Sequence, residues 1–79
     1  MTTKEMKETA LNKVFEAYLD ASRAIRKGQL ADGERYHRLA FTMAEAYQAI
    51  ELMSFSDSLT LEIKAEKQAI LEWREGLLQ

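Results

Sequence analysis

Apolar residues recur every three or four positions along most of the chain, the spacing of one face of an α-helix. Before the first glycine this spacing is kept by Leu11, Val14, Phe15, Tyr18 and Ile25, and an alanine row lies beside it. Near the carboxyl end it is kept by Leu59, Ile63, Ile70, Trp73 and Leu77. Each stripe is expected to face the core. Glu66 falls in the middle of the second stripe, so it needs a partner or exposure to water.

Two short segments interrupt the helical pattern. In "RKGQLADGE", residues 26–34, Gly28 suits the left-handed position after a helix, and Asp32 suits the N-cap of the next one. In "SFSDS", residues 54–58, Ser56, Asp57 and Ser58 are all capping residue types. The pattern therefore predicts helices over 3–27, 33–54 and 58–78. Short linkers favour antiparallel neighbours, so the predicted fold is an all-α antiparallel three-helix bundle in a single helical domain, 1–79.

The stretch "YHRLAFTMAEAYQAIELM", residues 36–53, is too apolar for one face of the middle helix. At about 100° per residue, one arc suited to the core contains Tyr36, Leu39, Ala40, Met43, Tyr47 and Ile50. Phe41, Gln48 and Leu52 lie roughly opposite. Single exposed apolar residues are common in soluble proteins. The sharper interpretation is a docking strip, and we predict that these three residues are buried in a contact between chains, first of all a homodimer and otherwise a contact with another protein.

The chemistry available to this chain is limited. It has 79 residues, no cysteine and one histidine, so disulfides are excluded and the usual zinc ligand sets cannot form. Glu62 and Glu66 stand at metal-sharing spacing but alternate with Lys64 and Lys67, which is typical of a solvated helix. His37 has no acid–base partner at a recognisable spacing. We expect no catalytic residues, no metal, no cofactor and no enzymatic activity.

Positive charge is concentrated around the first turn. Five of the 11 Lys and Arg residues lie between positions 23 and 38, namely Arg23, Arg26, Lys27, Arg35 and Arg38. The third predicted helix is acidic, and the formal net charge is −2. One interpretation is that these charges complement helix dipoles and keep the surface solvated. The other is a landing site for an acidic protein surface or for phosphates.

Together these patterns predict a non-enzymatic protein-binding module that acts as a small inhibitor or adaptor. Short cysteine-free helical chains without catalytic residues are frequent among phage and mobile-element products, which makes that origin an expectation. The alternative is a small nucleic-acid-associated regulator that uses the basic cluster. The first ten residues lack the apolar run of a signal peptide, and no stretch approaches about 20 apolar residues. We therefore expect a cytoplasmic protein without a membrane partner.

Overall fold

The computed structural model describes residues 2–78, which form three helices and no strand. These are α1 (Thr3–Arg26), α2 (Leu30–Ala49) and α3 (Phe55–Arg74). The predicted all-α fold of three helices is confirmed. Residues 1 and 79, the two ends of the predicted domain, lie outside the described part of the chain.

The first helix, rather than the second, occupies the middle of the fold. α1 packs along both α2 and α3, whereas α2 and α3 meet at only a few points. The second helix, which is the middle one along the chain, is therefore not the middle one in space. The alanine row of α1 explains the arrangement, because Ala10, Ala17, Ala21 and Ala24 are all buried and let other helices approach closely.

Neighbouring helices run in opposite directions. The carboxyl end of α1 lies beside the start of α2, since a Cβ added at Gly33 would be 2.6 Å from Ile25. In the middle of the molecule His37 of α2 contacts Glu62 of α3, and near the opposite end Gln48 shares a pocket with Phe55. The chain therefore runs up, down and up, and α3 is parallel to α1.

The turn between α1 and α2 uses the predicted glycine but a different N-cap. Gly28 has a φ of +79°, and the Gln29 N–H donates to the carbonyl of Ala24 across the end of α1. This is a Schellman motif. The second helix begins at Leu30, three residues earlier than predicted, and Asp32 lies in its first turn instead of capping it. The prediction of Asp32 as the N-cap is wrong.

The turn between α2 and α3 is built differently from the prediction. α2 ends at Ala49 because Glu51 takes a left-handed φ of 61°, and the Leu52 N–H then donates to the Tyr47 carbonyl. α3 begins at Phe55, capped reciprocally by Ser54 and Asp57. The predicted limits of residue 54 for the second helix and residue 58 for the third are therefore wrong. No glycine marks the end of α2 in the sequence.

Small residues form much of the core, and this overturns the predicted core of α3. Ala65 and Ala69 are fully buried and Ser58 is nearly so, while Ile70 is half-buried and the rest of the predicted stripe is exposed. The exposed members are Leu59, Ile63, Trp73 and Leu77. Alanine faces allow the backbones of α1 and α3 to come close, so the large side chains of the predicted α3 stripe are left largely outside this contact.

The buried face of α2 is also displaced from the predicted one. Ala40 and Ala44 are buried against α1, whereas Leu39 and Ile50 are exposed. At about 100° per residue, the centre of the buried face lies roughly 60° from the predicted centre. Phe41 therefore borders the core on the side that faces α3, rather than lying opposite it.

Candidate functional site

A groove runs between α2 and α3, and its floor is supplied by α1. The two outer helices barely touch, and the ring of Tyr18 on α1 lines the gap between them. Tyr18 is only 2% exposed and packs edge-on against His37, with ring centroids 5.5 Å apart. We call this feature the α2–α3 groove.

The groove contains two depressions that share Tyr18 and Glu62. The first has a volume of about 140 Å³ and is lined by Tyr18, Phe41, Ala44, Glu45, Gln48, Phe55, Ser58, Leu59 and Glu62. The second has a volume of about 200 Å³ and is lined by Tyr18, Ser22, Ile25, Arg26, His37, Glu62 and Glu66. A contact of 3.2 Å between His37 Nε2 and Glu62 Oε1 bridges the groove between the two helices.

The walls of the groove carry large apolar side chains that face water. Phe41 on α2 is 50% exposed, and Phe55 and Leu59 on α3 are exposed to a similar degree. Ile63, one turn beyond Leu59, is also exposed, but it lines neither depression. An apolar surface contributed by two helices and set around a concave floor is typical of a contact surface.

The groove also carries negative charge. Glu45 stands on the α2 wall, and Glu62 and Glu66 stand on the α3 wall. Among the described residues, Glu45 and Glu66 make no ion pair. The first depression has no lysine or arginine in its lining, while Arg26 borders the second. Glu66 is exposed because the α3 stripe in which it lies faces the groove and water, not the core.

The predicted strip is only partly brought together. Phe41 and the half-buried Gln48 both line the first depression. Leu52 is separated from them, because the left-handed Glu51 turns the chain and Leu52 packs against the hydrophobic core. Sequence reasoning missed Phe55 and assigned Leu59 and Ile63 to the core. The alanine face on the other side of α3 could have indicated that these residues are exposed, because that face allows a closer contact with α1.

The predicted basic cluster is largely paired with acids. Arg35 is 3.0 Å from Asp32, and Arg38 is 3.0 Å from Glu34. Arg23 is bound to Glu72 of α3. Of the five cluster residues, Arg26 and Lys27 make no ion pair within the described part of the chain.

The pair of Arg23 and Glu72 ties α1 to α3. Arg23 Nε and Nη2 donate to the two carboxylate oxygens of Glu72 at 2.7 and 2.8 Å, and the Gln68 amide donates at 2.9 Å. The hydrogen bonds from Arg23, followed by that from Gln68, lower the pKa of Glu72 to about 2. The same bond to Glu72 raises the pKa of Arg23. Arg23 therefore has a structural role.

Three titratable side chains meet in the middle of the groove, namely Tyr18, His37 and Glu62. Burial raises the pKa of the Tyr18 phenol, while the neighbouring Ser58 side chain acts in the opposite direction. His37 contacts the Glu62 carboxylate rather than a serine or threonine hydroxyl. Residues 2–78 contain no group of three or more histidine, aspartate or glutamate side chains placed to hold a metal ion. None of the described helices has the length and apolar character needed to cross a bilayer.

Comparison of the chain with protein-family models finds no match. Comparisons with curated proteins and with solved structures find none either. The function of this chain is therefore inferred from the geometry of the groove.

Proposed function

We propose that this chain is a non-enzymatic protein-binding module, a small inhibitor or adaptor, and that it binds its partner in the α2–α3 groove. The observation that carries the proposal is the division of α3 into two faces. Its small residues fill the core, while Phe55 and Leu59 line an open groove opposite Phe41.

The energetics favour a contact function for this surface. Fully burying a phenylalanine, leucine or isoleucine side chain contributes about 1.5–3 kcal/mol. Since Phe41, Phe55 and Leu59 are each roughly half exposed, covering them would contribute about 1 kcal/mol per side chain. A surface of this kind, concave and built on two helices, is better suited to a partner than scattered exposed residues are.

We propose no enzymatic activity. The support is the residue inventory, because the sequence has one histidine and no cysteine, and His37 is engaged with Glu62. General acid–base chemistry requires a set of groups within hydrogen-bond reach of one substrate position. The cytoplasmic location and the phage or mobile-element origin remain predictions from the sequence.

Site-specific photo-crosslinking in the native host tests the proposal. A benzophenone amino acid replaces Phe41 in one variant and Leu39 in a matched control. Both residues lie on α2 and are 50% and 51% exposed, but only Phe41 lines the groove. We expect the Phe41 variant to give one discrete adduct with another protein and the Leu39 variant to give none. Equal adducts from both positions, or none from Phe41, would contradict the proposed function.

The alternative, a nucleic-acid-associated regulator, has less support from the geometry. Three of the five cluster arginines and lysines are bound to carboxylates, which reduces the positive charge available to phosphates. Mobility-shift titrations over a range of salt concentrations test it directly. Binding that weakens steeply with salt and is lost in the Arg26→Glu, Lys27→Glu double variant would favour this alternative.

A further inference from the structure

The acidic residues of the α2–α3 groove indicate what kind of partner fits it. Glu45 and Glu66 stand on opposite walls and have no ion-pair partner among the described residues. They border the apolar side chains rather than lying on a separate surface. A partner that covers the apolar walls therefore brings its own flanking groups close to both carboxylates.

The dimensions of the groove suit an α-helix. From His37 to Gln48 on α2, and from Phe55 to Glu66 on α3, each wall is about 17 Å long, which is roughly three helical turns. The depression between Phe41 and Phe55 has a volume of about 140 Å³. An apolar cavity of about 150 Å³ accommodates a benzene ring, so this depression can receive one large apolar side chain.

Resting on the proposed protein-binding function, we infer that the groove binds an amphipathic helix of a different protein. That helix has an apolar stripe about three turns long, with one large side chain seated between Phe41 and Phe55. Lysine or arginine residues flank the stripe and lie opposite Glu45 and Glu66. With α1 as the floor, the bound helix completes a four-helix arrangement, in the manner of other helix-in-groove contacts.

A second copy of this chain fits the groove less well. One helical surface that a second copy could offer is the apolar stripe of α3, and Glu66 lies in its middle. Seating that stripe in the groove brings another carboxylate toward Glu45 and Glu66. Like charges at a contact that excludes water oppose association. A foreign helix with basic flanks avoids this repulsion and gains attraction instead.

Two designed peptides of about 16 residues provide the probe. They share one leucine stripe at helical spacing, and the flanking positions are lysine in one peptide and glutamate in the other. Calorimetry measures the binding of each to the full chain at low salt. We expect the lysine peptide to bind about tenfold more tightly, because two charge pairs change from repulsion to attraction. The preference should shrink at high salt.

Charge reversal in the protein is the decisive control. In the Glu45→Lys, Glu66→Lys double variant, the preference should invert in favour of the glutamate peptide. Both side chains are exposed, and circular dichroism verifies that the variant keeps its helices. Phe41→Glu should weaken the binding of the lysine peptide at least tenfold, whereas Leu39→Glu should not weaken it. Equal affinities for the two peptides, or binding that is indifferent to Phe41→Glu, would overturn the inference.

The oligomeric state tests whether a second copy of the chain, rather than a foreign helix, occupies the groove. If sedimentation finds a wild-type dimer that Phe41→Glu dissociates and Leu39→Glu does not, the groove belongs to a second copy and the inference is wrong. The proposed protein-binding function has its own test, and it fails if no protein is crosslinked at Phe41. A crosslinked partner in the host, together with no preference between the two peptides, would leave the protein-binding function intact and remove only the basic amphipathic helix.

Discussion

Glu72 shows how one side chain links the pattern of charges to the stability of the fold. It is 9% exposed, and it is held by Arg23 from the neighbouring helix and by Gln68 from its own. A carboxylate this buried is tolerated only because donors replace the water it loses. Its environment makes the stability of the protein depend on pH.

The pH dependence has a definite sign. The pKa of Glu72 falls from an ordinary 4.5 to about 2 on folding, so the ionised form stabilises the fold above pH 4.5. That stabilisation is lost as the pH falls from 4.5 to 2. We expect a loss of about 1–3 kcal/mol in the free energy of unfolding, reduced from the full linkage value because Arg23 is partly exposed.

Urea unfolding at a series of pH values measures this loss. Glu72→Gln should remove this part of the acid dependence, and it should also be less stable than wild type at pH 7. Glu75→Gln, at an exposed position at the end of the same helix, is the control and should retain the wild-type profile. Parallel profiles for wild type and Glu72→Gln would contradict the assignment.

Glu51 is a second residue whose local conformation has a measurable cost. It occupies the same position after α2 that Gly28 occupies after α1, with a left-handed φ of 61° compared with 79°. A residue with a Cβ is disfavoured there by roughly 1–2 kcal/mol. Glycine has no such penalty.

Introducing glycine at position 51 and removing it from position 28 should have opposite effects on the stability of the fold. We expect Glu51→Gly to stabilise the fold by up to about 1 kcal/mol and Gly28→Ala to destabilise it by about the same amount. A Cβ at Gly28 meets nothing within 4 Å, so the loss there would be conformational rather than steric. Thermal and urea unfolding measure both changes. A destabilised Glu51→Gly would indicate that the glutamate side chain has a stabilising contact.

At the scale of the element, α3 is oriented by its small residues rather than by its large ones. Its fully buried positions are alanines, while Leu59 of its apolar stripe lines the groove together with Phe55. Close packing of helices through small side chains increases contact between backbones. The large side chains are left free for a partner because the core does not use them.

Because of this orientation, a substitution at a buried alanine of α3 should reduce stability more than a substitution at one of its large apolar residues. Ala65→Leu should destabilise the protein by about 1–3 kcal/mol or more, since the site is fully buried against α1. Ile63→Gln should change stability by about 0.5 kcal/mol or less, because Ile63 is 53% exposed. Urea unfolding of the two variants compares them directly. A large loss for Ile63→Gln with little effect of Ala65→Leu would place the stripe in the core after all.

At the scale of the whole molecule, the fold exposes an apolar surface interrupted by charge. The molecule measures 38 × 23 × 21 Å, and one long side of it is the groove between α2 and α3. Glu66 divides the exposed apolar side chains of α3 into two groups. Charged residues inserted into exposed apolar surfaces are a common means of preventing self-association.

Replacing that charge should make the protein self-associate. We expect the wild type to sediment as a monomer at about 10 μM, and Glu66→Leu to form dimers or larger species, because the apolar stripe becomes continuous. Glu8→Leu, on an exposed face of α1, is the control for a general loss of solubility. Analytical ultracentrifugation distinguishes these outcomes. A monomeric Glu66→Leu variant would show that Glu66 is not what keeps the stripe from pairing.

The sequence by itself determined the number of helices and their approximate positions. Glycine at 28 and the serine- and aspartate-rich segment around 54–58 locate the turns, because these residues satisfy helix ends that others leave unpaired. It also identified Phe41 and Gln48 as surface candidates. Local signals of this kind act within a few residues, so a sequence displays them directly.

Only the tertiary structure decided which face of each helix is buried. Periodicity gives the angle between residues on one helix, but it does not say where the neighbouring helices lie. Here the alanine faces of α2 and α3 pack against α1, since close backbone approach favours small side chains, and Phe41, Phe55 and Leu59 are left to line the groove. Glu51 ends α2 without a glycine, and the turn that it makes places Leu52 against the core instead of beside Phe41 and Gln48. Packing between segments distant in sequence, rather than hydrophobicity within any one of them, therefore created the candidate site.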